Sequence, residues 1–121
     1  MIIDPSDDSR LHLKDLLLSK NHDVVYDTGD GLQAIQRYFM IKPEILFLDL
    51  VGSDGLSILK KIHQKDQMCK IIMLTTNDKM DILEECLRLG AMAFVSKPFE
   101  PDDVLSVISF AEEIQSFPSL N

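Results

Sequence analysis

The composition of this chain excludes several classes of protein. It has 121 residues, of which 45% are hydrophobic and 26% charged, an ordinary balance for one globular domain with a single core. The formal net charge of −8 argues against a nucleic-acid surface, because neutralising phosphates requires clustered Lys and Arg. Neither a membrane helix nor a signal peptide is visible, so we expect a cytoplasmic protein. Cys69 and Cys86 lack CxxC spacing and are interpreted as reduced core thiols.

The first half of the chain alternates short apolar runs with amphipathic helices. Residues 1–3 form the first strand candidate, and Ser6 is expected to cap a helix whose leucines recur at helical spacing to about Lys20. The β-branched and aromatic run at 24–26 predicts the second strand, and the turn that follows it opens a second helix. Residues 45–48 have no polar alternation, which predicts a strand covered on both faces.

The second half repeats this alternation. Residues 71–74 predict another buried strand, Asp78 is expected to start the fourth helix and Gly90 to stop it. A last strand is predicted at 91–95, followed by a final helix. Five strands alternating with five helices predict a doubly wound α/β fold with a parallel sheet. We expect one domain at 1–114, with 115–121 as a tail or the start of a linker.

Polar side chains follow four of the predicted strands: Asp4, Asp49, Thr75 and Lys97. Asp49 taken alone would fit better as a helix N-cap. Because the carboxyl ends of parallel strands share one edge of a sheet, however, the four are expected to converge there. Two carboxylates, a hydroxyl and an amine suit a phosphoryl group carried on one carboxylate, while the other carboxylate helps to hold a divalent cation.

The order and approximate spacing of these motifs resemble the response-regulator receiver domains of two-component signalling, over essentially the whole chain. The matching segments are residues 2–4, 16–17, 24–25, 31–34, 43–49, 54–56, 71–75, 90–91 and 94–99. The resemblance implies a flavodoxin-like fold with five parallel strands in the order 2-1-3-4-5 and five helices.

The resemblance also implies a function and assigns roles to individual residues. Asp49 would accept a phosphoryl group from a histidine kinase or a histidine phosphotransfer protein. Lys97 would be the cationic partner of that group, and the Lys97–Pro98 peptide bond is expected to be cis. Thr75 would follow the phosphoryl group, and Phe94 would be the aromatic residue that switches with it. Such a domain at most assists its own phosphorylation and is not an enzyme acting on an outside substrate.

Two departures from the family concern the metal site. The resemblance assigns Mg²⁺ to Asp4, Asp49 and the backbone carbonyl of Val51, but the second acidic residue of the family is replaced by Pro5. The loop after Asp49 is also shorter than usual and lacks the family's Met-Pro. Mg²⁺ uses few protein carboxylates, so these losses predict weak binding. Asp7 and Asp8 are interpreted as charges at a helix start.

Two other functions compete with this one. The main alternative is a pseudo-receiver, a protein-interaction module that works without phosphorylation, and Pro5 is the residue that favours it. A flavin or nucleotide binder is disfavoured, because no glycine-rich phosphate loop follows the first strand. We expect a monomer or weak homodimer with no direct contact to nucleic acid or membrane. The output partner is not specified by the sequence.

Overall fold

The computed structural model describes residues 1–50, 54–76 and 80–116, and side chains as far as residue 114. Strands and helices alternate along the chain. The strands are β1 (Ile2–Ile3), β2 (Asp27–Thr28), β3 (Leu46–Asp49), β4 (Ile71–Thr75) and β5 (Ala93–Ser96). The helices are α1 (Asp7–Ser19), α2 (Gly31–Ile41), α3 (Gly55–Lys65), α4 (Met80–Arg88) and α5 (Pro101–Ser116).

The five strands form one parallel sheet in the order β2-β1-β3-β4-β5. Helices α2, α3 and α4 pack on one face through residues such as Tyr38, Leu59 and Cys86. Helices α1 and α5 cover the other face through residues such as Leu13 and Val104. Coverage on both faces explains why β3 and β4 are continuous apolar runs. The prediction of a doubly wound flavodoxin-like fold is confirmed.

The second strand lies further along the chain than predicted. The sequence predicts this strand at 24–26, whereas β2 comprises Asp27 and Thr28. The register pairs Ile2 with Asp27. The predicted run at 24–26 contributes to this pairing through the carbonyl of Tyr26, which accepts the Ile2 N–H at 3.0 Å. Val24 and Val25 therefore lie upstream of the residues that β1 pairs, and β-branched composition alone did not reveal this register.

Several local predictions hold. Ser6 caps α1 by accepting the backbone N–H of Ser9, so Asp7 and Asp8 are first-turn residues of that helix. Gly90 follows α4 with φ of +115°, a conformation that favours glycine. The predicted start of α4 at Asp78 lies outside the described residues. Helix α5 continues to Ser116, two residues into the predicted tail.

Both cysteines, Cys69 and Cys86, are free and buried. Burial raises the pKa of the Cys69 thiol to about 11, with a further contribution from the charge of Asp66. Cys69 therefore stays protonated and unreactive at neutral pH. Within the described part of the chain, no helix combines the length and apolar character needed to cross a membrane.

Candidate functional site

The ends of β1, β3 and β4 bring three polar side chains together inside the protein. Ile3 pairs with Leu48, and Asp49 pairs with Leu74, so continuing the β1–β3 register by one residue places Asp4 beside Asp49. Asp4 is fully buried, and Asp49 and Thr75 are nearly so. Burying two carboxylates is costly unless a counter-charge accompanies them.

Lys97 supplies that counter-charge from the end of β5. Its backbone N–H donates to the carbonyl of Thr75 at 2.8 Å, which holds the chain beside β4. Its ammonium lies 2.7 Å from Asp4 Oδ2 and 2.9 Å from Asp49 Oδ1. The peptide bond between Lys97 and Pro98 is cis, as the resemblance implied. One ammonium therefore bridges the two carboxylates at the sheet edge.

The two contacts of Lys97 are not equivalent. The ammonium donates a hydrogen bond to Asp49, whereas Asp4 Oδ2 is close to it but has no aligned hydrogen-bond donor among the described residues. Burial by itself would lower the pKa of Lys97, but the close contacts with the negative charges of Asp4 and Asp49 outweigh burial and raise it. Lys97 is therefore cationic at any physiological pH, and Asp4 Oδ2 is a buried oxygen that can still accept a hydrogen bond or bind a cation.

The turn after β1 is held by a residue that the sequence reasoning did not single out. Arg10, from the second turn of α1, donates to the carbonyl of Asp4 at 2.6 Å. The same guanidinium contacts Asp7 at 2.6 Å and Asp27 at 3.2 Å. It thus joins the end of β1 to α1 and β2 through three oxygens, a use suited to its five fixed donors. Its position six residues after Asp4, one helical turn inside α1, is the signal that was available.

The metal ligands predicted from the resemblance are only partly described. Asp4 and Asp49 approach the same ammonium, so both carboxylates can reach one cation, and Asp4 Oδ2, which pairs with Lys97 without an aligned hydrogen bond, suits a cation ligand. Val51 lies outside the described residues. Among the residues that are described, no group of three or more acidic, histidine or cysteine side chains converges. The residues present thus fit a cation held by two carboxylates, which is as many protein carboxylates as Mg²⁺ usually uses.

The two predicted switch residues lie on neighbouring strands. Phe94 pairs with Met73, and Ser96 pairs with Thr75. Because side chains alternate along a strand, Thr75, Met73 and Phe94 project to the same face of the sheet. Phe94 is partly buried against the core on that face. The side chains of Thr75 and Phe94 are therefore diagonal neighbours on adjacent strands.

Comparison with known proteins agrees with this geometry. The family model described as the response regulator receiver domain matches residues 1–109. The chain is 31% identical to the chemotaxis protein CheY of Bacillus subtilis over 90% of its own length and 92% of that protein.

Solved structures give the same result. A chain of the CheX-CheY-BeF3-Mg²⁺ complex from Borrelia burgdorferi has a TM-score of 0.87, with 26% identity over 92% of this chain and 86% of that one. NtrX from Brucella abortus, in complex with ADP, has a TM-score of 0.84 and 25% identity over 93% of this chain. The chain spans about a quarter of that NtrX chain. The buried strand-end residues, the sheet order and the family match together show that this protein belongs to the response-regulator receiver domain family.

Proposed function

We propose that Asp49 accepts a phosphoryl group from a phosphohistidine of a histidine kinase or histidine phosphotransfer protein. The observation that carries the proposal is the Lys97 ammonium, 2.9 Å from Asp49 Oδ1 and held between two buried carboxylates. A phosphoryl group on Asp49 would bring additional negative charge to a position where a fixed cation already lies. Fixed positive charge where negative charge develops is the main requirement of phosphoryl transfer.

The proposed step is an in-line displacement. A carboxylate oxygen of Asp49 bonds to phosphorus as the bond from phosphorus to the histidine nitrogen breaks, and the electron pair of that bond leaves with the imidazole. Lys97 stabilises the charge on the transferring oxygens, and the Thr75 hydroxyl donates to one of them. Mg²⁺, when bound by Asp4 and Asp49, would neutralise further charge on the phosphoryl oxygens. The BeF3 and Mg²⁺ of the Borrelia complex are a precedent in a relative.

Phosphorylation of Asp49 can be tested with acetyl phosphate and Mg²⁺. We expect the intact mass of the wild type to increase by one phosphoryl group, and Asp49→Asn to abolish the increase. Amide shifts recorded in the same sample should change at Thr75 and Phe94, because a hydroxyl drawn toward the phosphoryl group vacates space beside the ring.

A control variant distinguishes the proposed phosphoryl acceptor from another carboxylate of the protein. Asp27→Asn removes a carboxylate that pairs with Arg10 and Lys14, away from Lys97, and should leave the mass increase intact. An adduct that persists in Asp49→Asn would disprove the acceptor assignment. A wild type that is modified by neither acetyl phosphate nor a kinase would instead support the pseudo-receiver, which the replacement of a metal-binding acid by Pro5 also favours.

We also propose that Pro5 weakens Mg²⁺ binding. Proline contributes no side-chain oxygen, so Asp4 and Asp49 are the carboxylates left at the site. Pro5→Asp should tighten Mg²⁺ binding by about tenfold or more, because added ligand charge is the usual way to raise affinity at such sites. Without Mg²⁺ the variant should be less stable than the wild type, since three clustered carboxylates repel one another. Thermal unfolding across a Mg²⁺ titration measures both effects.

Pro5→Ala is the matched control, because it removes the proline ring without adding a carboxylate. It should bind Mg²⁺ as the wild type does. Equal Mg²⁺ affinity in the aspartate and alanine variants would show that another group already replaces the missing ligand.

The wider function follows from the same proposal. The domain would act in the cytoplasm, assist only its own phosphorylation and dephosphorylation, and pass the signal to a protein partner through the surface around Phe94. We propose a monomer or weak homodimer. The net charge of −8 argues against direct nucleic-acid contact.

A further inference from the structure

The start of α3 is packed directly against the backbone of the proposed acceptor. Gly55 is the first residue of α3 and is buried. Its N–H donates to the carbonyl of Leu50 at 3.1 Å. A Cβ atom built on Gly55 would overlap the carbonyl oxygen of Asp49 and lie 2.8 Å from both Cα and the carbonyl oxygen of Leu50. Every one of these contacts is with backbone.

Because these neighbours are backbone atoms, the contact leaves no room for a side chain at residue 55. A flexible side chain can rotate away from an added methyl group, but Asp49 and Leu50 are fixed at the end of a central strand. The Leu50 N–H donates to the carbonyl of Leu74 at 2.9 Å, which ties the segment to β4. Relief of the overlap therefore requires α3 or the end of β3 to shift.

Among the described residues, no side chain caps the start of α3. Asp54, at the N-cap position of α3, has left-handed backbone angles (φ 55°, ψ 49°) and makes no side-chain capping bond. The hydrogen bond from Gly55 to Leu50 and the close backbone packing are what the structure shows holding this helix end to β3. In α2, by contrast, Asp30 caps the helix through the N–H of Leu32 at 2.9 Å.

From this packing we infer that Gly55 is a positioning residue for phosphorylation of Asp49. Its missing side chain lets α3 close on the acceptor's own carbonyl, and this fixes the Asp49 carboxylate against Lys97. The inference rests on the proposed acceptor role of Asp49. It adds that the identity of residue 55, which touches neither the phosphoryl group nor the ammonium, sets the rate of transfer.

The test compares Gly55→Ala with two controls. Gly31→Ala changes the first residue of α2, a helix of the same 11-residue length that follows an edge strand. Ile62→Val removes a buried methyl group from α3 itself, and it lowers stability without touching the helix start. Each variant is assayed with acetyl phosphate and Mg²⁺, by intact mass, and the rate constant is divided by the folded fraction.

We expect Gly55→Ala to slow phosphorylation per folded molecule by about tenfold to a hundredfold, the scale on which a displacement of about 1 Å acts on a positioned group. Gly31→Ala and Ile62→Val should retain the wild-type rate constant. An unchanged rate constant in folded Gly55→Ala would overturn the inference. So would an equal loss in Ile62→Val, because the effect would then report stability alone.

A second measurement keeps the inference separate from the proposed function. If the wild type is never phosphorylated, the acceptor role fails, and the inference is judged by the NMR signals of Leu50 and the Lys97 ammonium. Displacement of both in Gly55→Ala, but not in Gly31→Ala, supports positioning of Asp49; unchanged signals overturn it. If Gly55→Ala does not fold, it is assayed in sucrose, which favours compact states. Failure to fold there also overturns the inference, because Gly55 would then be required for folding as a whole.

Discussion

Replacing Lys97 with methionine is expected to destabilise the domain by about 3–5 kcal/mol, the usual result of removing one partner from a buried ion pair. The substitution keeps most of the aliphatic side chain but leaves two carboxylates without their ammonium. The Asp4 side chain is 1% exposed and that of Asp49 is 10% exposed, so water solvates the two carboxylates poorly once the ammonium is removed. Urea unfolding of the variant and wild type measures the difference.

Lys14→Met is the matched control for this experiment. Lys14 pairs with Asp27 at 3.0 Å, but both side chains are partly exposed, at 39% and 24%. An exposed pair contributes about 0–1 kcal/mol. Adding Asp4→Asn to Lys97→Met should recover part of the loss, because it removes the more deeply buried of the two charges. Equal losses in the two methionine variants would contradict the bridging role of Lys97.

Gly90→Ala is expected to destabilise the protein by about 3 kcal/mol, through two costs that add. The backbone angle φ of +115° is unfavourable for any residue with a side chain, at about 1–3 kcal/mol. The new methyl group would also overlap the ring of His63, whose Nδ1 lies 2.6 Å from the built Cβ position. Overpacking of this kind costs about 1–3 kcal/mol. Thermal unfolding of the variant checks the sum.

A double-mutant cycle with His63→Ala separates these two costs. Without the imidazole the steric overlap disappears, whereas the backbone cost remains. Gly90→Ala should therefore be less damaging in the His63→Ala background than in the wild type. The same loss in both backgrounds would assign the whole effect to the backbone. No loss in the wild type would mean that the turn after α4 differs from the one described.

The convergence of the site was predictable because it follows from topology. Once Asp4, Asp49, Thr75 and Lys97 were placed after parallel strands, a shared sheet edge brought them together. What the sequence did not reveal depends on distances across the edge. Nothing in the residue pattern indicated that the Lys97 ammonium would approach Asp4 as closely as Asp49.

The contacts of Gly55 and Arg10 were missed for a related reason. Gly55 packs against main-chain atoms and Arg10 donates to a main-chain carbonyl. Such partners are present at every position, so a residue pattern does not identify them. The second strand was misplaced because an edge strand is defined by register. Strand β1 pairs with Asp27 and Thr28, although the preceding β-branched residues have higher strand propensity.

The turn between β1 and α1 has a consequence for how this domain can evolve. Pro5 is exposed, and the bonds that shape the turn belong to its neighbours: Ser6 N–H donates to Asp4 Oδ1 at 2.9 Å, and Arg10 donates to the Asp4 carbonyl. Pro5 has no N–H and contributes to neither bond. Selection can therefore exchange the side chain at this position without rebuilding the turn. With the role proposed for Pro5 in Mg²⁺ binding, cation affinity could change during evolution while the turn keeps its structure.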